Sequence, residues 1–93
     1  MTLESLGIIE TSSVSASLKI LHGMQKEKNI KLIGKEILGC GIVTLVIEGN
    51  LGAIKRAISA GKENLNSSDE FRSSHIIPLP HNKLLSKFGL ERI

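Results

Sequence analysis

The chain has 93 residues, 41% of them hydrophobic, which suits one globular domain with a modest core and argues against disorder. Its aromatics are two Phe, with no Trp or Tyr, so Ile, Leu, Val and Ala must fill that core. Twelve basic against nine acidic residues give a net charge of +3. The densest basic group, Lys26, Lys28, Lys31 and Lys35, lacks the aromatic platform of a single-strand nucleic-acid binder, so no nucleic-acid partner is expected. One cysteine makes no internal disulfide, which points to a reducing compartment. Residues 1–7 lack the pattern of a signal peptide. The apolar runs fall short of the ~20 residues needed to cross a bilayer, so no membrane association is expected.

In chain order, residues 3–11 (LESLGIIET) read as a first strand, with Gly7 marking a kink or a close backbone approach. Ser12 and Ser13 offer N-cap hydroxyls for a helix over residues 14–28. On that helix Val14, Leu18, Leu21 and Met24 or Gln25 share one face, which makes them the expected core stripe. Gly23 weakens the helix by ~1 kcal/mol relative to Ala, and Asn29 is its expected stop. Residues 30–38 form a second strand, where Gly34 interrupts the alternation and suggests a bulge.

Leu38-Gly39-Cys40-Gly41-Ile42 then reads as a tight exposed turn presenting the only thiol of the chain. The nearly continuous apolar run Ile42 to Ile47 is a central strand. Asn50 caps a second helix carrying Leu51, Ile54, Ile58, Gly61 and Leu65 at helical spacing. Residues 66–70 (NSSDE) are a polar turn, and a fourth strand around His75-Ile76-Ile77 is expected to end at Pro78 and Pro80. Residues 82–93 form a tail in which Leu84, Leu85 and Phe88 suit one or two turns of helix. The order β-α-β-β-α-β predicts an α+β ferredoxin-like sandwich, an antiparallel sheet with both helices on one face.

Together, several segments resemble the single-domain shell proteins of bacterial microcompartments. They are Gly7-Ile8-Ile9-Glu10-Thr11, Met24-Gln25-Lys26, Lys31-Leu32-Ile33-Gly34, Gly39-Cys40-Gly41-Ile42-Val43-Thr44, Glu48 through Lys55, Ala60-Gly61 and His75 through His81. The resemblance implies a shell domain over residues 1–81 and a homohexameric ring that tiles with other shell proteins around encapsulated enzymes in the bacterial cytoplasm. It places Gly39, Cys40 and Gly41 around a central pore for small metabolites. Lys26 and Asn29 fall at the hexamer edge, together with Leu79, where many members carry a basic residue that helps dock adjacent tiles. The chain also departs from the family at Ser12-Ser13, where a Lys-Gly pair is usual, and at Cys40, where a small polar residue is common.

No cofactor is required by this reading. An alternative has Cys40 thiolates from several subunits holding an iron-sulfur cluster at the symmetry axis, as some shell proteins do, for electron transfer or cluster storage. His22, His75 and His81 lack converging ligands and read as structural or interface residues. No catalytic motif is present, and the chain is not expected to be an enzyme.

Overall fold

The computed structural model describes residues 4–79, and the expected tail lies outside them. Its elements are β1 (Glu4–Thr11), α1 (Val14–Met24), β2 (Ile30–Ile37), β3 (Val43–Gly49), α2 (Leu51–Glu63), a 3-10 turn (Ser68–Glu70) and β4 (Phe71–Leu79). The strands form one sheet in the order β2-β3-β1-β4, with every pairing antiparallel. This is the α+β sandwich that the element order predicts. No helix of the described residues is long and apolar enough to cross a membrane.

Register decides which side chains meet the helices, because residues directly opposite in neighbouring strands share a face. Gly7, Ile9 and Thr11 of β1 oppose Ile47, Leu45 and Val43 of β3. These β3 residues and Ile9 join Ile20, Met24, Ile54, Ala57 and Ile58 in the main core, so this is the helix-bearing face. Leu6, Ile33 and Val46 form a smaller buried cluster, with Leu6 opposite Ile77. Gly7 marks close approach: a Cβ there would stand 2.9 Å from Ile54 Cγ2.

Both expected N-caps form. Ser13 Oγ accepts from Ala16 N at 3.0 Å, and Asn50 Oδ1 accepts from Ala53 N at 2.8 Å. The helices cross where their side chains are smallest. A Cβ on Gly23 would collide with the Ala60 carbonyl oxygen and lie 2.8 Å from Gly61 Cα, and one on Gly61 would lie 2.9 Å from the Ile20 carbonyl oxygen. Gly23 therefore permits backbone contact, which outweighs its low helix propensity.

Several expectations are corrected. The core side of α1 carries Ala16, Ser17, Ile20, Gly23 and Met24, whereas Val14 and Leu18 are 43% and 56% exposed. Only Met24 of the expected stripe is fully buried, because the close crossing with α2 selects small residues. Leu51 is likewise exposed on the first turn of α2.

Helix α1 stops at Met24 and not at Lys28, since Lys26 N and Glu27 N fold back to the Gly23 and Met24 carbonyls at 3.2 and 3.0 Å. Helix α2 stops at Glu63, capped by Asn64, whose amide reaches across to the Lys19 carbonyl at 3.2 Å. Strand β4 runs through Pro78 because it is an edge strand, where a missing N–H is tolerated. The bulge expected near Gly34 is present: the β2–β3 register shifts between Leu32 and Gly34.

Candidate functional site

The loop at residues 38–42 is set by its own backbone. Leu38 N donates to the Ile42 carbonyl at 2.8 Å, and Gly41 N donates to the Leu38 carbonyl at 3.0 Å. Gly41 has φ +86°, the left-handed geometry that closes such hairpins and disfavours side chains. Gly39 is different: a Cβ there would meet nothing among the described residues within 4 Å, so none of them demands glycine. Between them Cys40 is exposed with a free thiol.

The second region is the turn at residues 25–29, between α1 and β2. Gln25, Lys26, Lys28 and Asn29 are exposed. The register puts this turn and the loop at opposite ends of the sheet. Ile30 opposes Gly49, Gly49 opposes Ser5, and the neighbouring Glu4 opposes Leu79. At the other end Ile37 opposes Val43, Val43 opposes Thr11, and Thr11 opposes Phe71. Strand β2 spans eight residues, roughly 23 Å at the usual rise. Lys26 and Asn29 thus share one turn, and Leu79 lies at the same end on the far edge strand, while Gly39, Cys40 and Gly41 lie at the other end.

A third region was invisible as a site in the sequence. Ile30, Leu32 and Ile37 of β2 oppose Gly49, Ile47 and Val43, so all three lie on the helix-bearing face. Leu32 and Ile37 are exposed, although apolar. Alongside them, Val14, Leu18 and Leu21 of α1 recur at helical spacing, the last half-buried. Leu21, Met24, Ile30, Leu32 and Ile47 line a groove of about 430 Å³ between α1 and β2. The result is a largely apolar flank between the loop end and the turn end, interrupted by Lys35, which opposes Leu45 on the same face. Expecting Val14 and Leu18 in the core concealed it.

The chemistry of single side chains is sparse. No group of three or more His, Cys, Asp or Glu among the described residues could hold a metal ion. One chain therefore offers a cluster a single thiolate, and other subunits would have to supply the remaining ligands. His22 and His75 are exposed, and His81 lies outside the described residues.

Two ion pairs tie the helix layer together. Lys19 Nζ meets Glu70 Oε2, and Arg56 Nε meets Glu27 Oε2, both at 2.8 Å. Glu70 is held below the usual carboxylate range, first by Lys19 and then by the amides of Asn66 and Ser67. Glu27 is lowered chiefly by its hydrogen bond to Arg56, and Arg56 is raised by the same contact.

Known proteins match this arrangement over nearly its full length. The BMC domain model matches residues 5–80. The shell protein PduA of Citrobacter freundii is 37% identical over 90 residues, covering 94% of this chain and 97% of its own. EutM of Salmonella typhimurium, another microcompartment shell protein, is 35% identical and covers 95% and 92%. The carboxysome shell protein CsoS1 of Prochlorococcus marinus is 33% identical and covers 91% and 84%. In three dimensions, a microcompartment protein from Desulfitobacterium hafniense superposes with a TM-score of 0.78 at 22% identity. That match takes in 91% of this chain and 46% of the other, and at this identity it speaks for the fold.

Proposed function

We propose, from the premise that this chain belongs to the BMC-domain family of microcompartment shell proteins, that it is a tile whose copies close into a six-membered ring. The observation that carries this reading is the apolar flank. Val14 and Leu18 of α1, and Leu32 and Ile37 on the helix-bearing face of the edge strand β2, are large and exposed. A surface of that kind is a liability on a monomer and an asset at an interface. Burying it against the next copy would stabilise the ring by about 1 kcal/mol or more per side chain.

In such a ring the loops at residues 38–42 converge on the axis. Gly39 has room for a neighbour's loop to approach, and six Cys40 side chains with the loop amides set the width and polarity of a pore for small metabolites. The turns carrying Lys26 and Asn29, with the end of β4 at Leu79, face outward. A flexible lysine there can reach carbonyl oxygens of an adjacent ring while its methylenes cover apolar surface. The partners are then copies of itself, other shell proteins and the enzymes they enclose. The role is structural and permeative, with no reaction catalysed.

Native mass measured on protein purified without oxygen tests this. The expected species is six times the subunit mass. A stable monomer or dimer contradicts the ring, whereas excess mass lost in Cys40→Ser would favour the iron-sulfur alternative over a plain pore.

A further inference from the structure

The turn that carries Lys26 and Asn29 is not held by its own backbone alone. Its first half is closed by the bonds from Lys26 N and Glu27 N to the Gly23 and Met24 carbonyls. Its second half meets the Glu27 carboxylate: Oε1 lies 3.4 Å from both the backbone N and Nδ2 of Asn29. The other oxygen, Oε2, accepts from Arg56 Nε at 2.8 Å, from a helix 29 residues further along the chain. The Glu27 side chain is only 13% exposed although its four turn neighbours are exposed. It points inward, divided between α2 and the turn.

Charge explains why the division matters. Glu27 is flanked by Lys26 and Lys28, and a carboxylate released from Arg56 has two ammonium groups within easy reach. Lys26 makes no ion pair with a described residue. The guanidinium occupies the carboxylate and thereby leaves the lysine available.

We propose that Arg56 and Glu27 are positioning residues for the assembly edge, a strut from α2 that fixes the turn and presents Lys26 and Asn29 to a neighbouring ring. This rests on the tile reading above and adds residues to it. Neither residue needs to touch the neighbour. The strut acts through the turn, and each seam between two rings contains it twice if the seam is two-fold.

The test compares wild-type protein with Arg56→Gln, Glu27→Gln, the double variant and Arg56→Lys. Three readouts are native mass, the protein concentration at which sheets form by light scattering and electron microscopy, and hydrogen exchange at the Asn29 amide. All variants should keep the ring mass. Arg56→Gln and Glu27→Gln should each raise the sheet-forming concentration about 3- to 10-fold, the scale of one or two exposed ion pairs. The double variant should be no worse than either single one, because both break the same contact. Arg56→Lys should recover part of the loss, and faster exchange at Asn29 should accompany each loss.

Sheet formation by Arg56→Gln at the wild-type concentration would overturn the strut while leaving the tile reading intact. So would additive losses in the double variant. Rings that never form sheets in the wild type would overturn the edge assignment and the strut with it. Absence of rings in the wild type would instead overturn the tile reading itself.

Discussion

Helix α1 has two sides of different make-up, and large apolar residues lie on the exposed one as well as the buried one. Its inner side, Ala16, Ile20, Gly23 and Met24 with Ser17, meets α2 and the sheet, and at Gly23 the two backbones touch. Its outer side carries Val14 and Leu18 in the open. Between the two, Lys19 is half-buried and bonded to Glu70. The contrast shows that apolarity alone does not tell a core face from an exposed one. Close helix crossing demands small residues, and the larger side chains left outside gain burial only against another molecule.

The inner side is the more fragile. Gly23→Val forces a branched side chain into the Ala60 backbone, which cannot move aside as a flexible side chain could. Overpacking of this kind costs about 2–3 kcal/mol, so a thermal melt should show a midpoint lowered by roughly 10 °C or more for a domain of this size. An unchanged midpoint would mean that the helices separate easily, and the contrast between the two sides would collapse.

The boundary residue gives a smaller effect, visible in acid. Glu70 has a folded-state pKa below its unfolded value because Lys19 and two backbone amides favour the carboxylate. Its contribution to stability is therefore complete above the ordinary carboxylate range and is lost as pH falls through the lowered value. Glu70→Gln should lower the melting midpoint slightly at neutral pH, flatten that part of the acid-side profile and converge on wild type once the carboxylate of the wild type is protonated. A profile identical to wild type would show that Lys19 and Glu70 are not coupled in solution.

What could be read from the sequence was local. Ser13 and Asn50 announce their helices because a cap acts over three residues. The loop at residues 38–42 is legible because its closing bonds and the glycine at φ +86° lie within five positions. The order of elements, and with it the sandwich, follows from periodicity. The missing parts are non-local. The inner side of α1 depends on where α2 crosses, 38 residues later at Gly61. The bulge near Gly34 was legible, but which β2 residues it turns toward the helices depends on the pairing with β3. The Glu27 contact with Arg56 leaves no periodic trace at all. Of the candidate site, the loop was therefore in view, whereas residues 25–28 read as helix and Lys26 and Asn29 enter only through the family resemblance. The flank that would join copies, and the strut that braces the turn, needed the fold.

The central claim is that the outer side of α1 and the edge of β2 form the seam between copies. The most direct measurement is native mass of Leu18→Glu beside wild type, with circular dichroism to follow the fold. Leu18 is 56% exposed, so a carboxylate there has water in the separate subunit and loses it in a ring. The account predicts that the wild-type species at six times the subunit mass is replaced by smaller species with an unchanged dichroism spectrum. A Leu18→Glu protein that still assembles to the wild-type mass would contradict it.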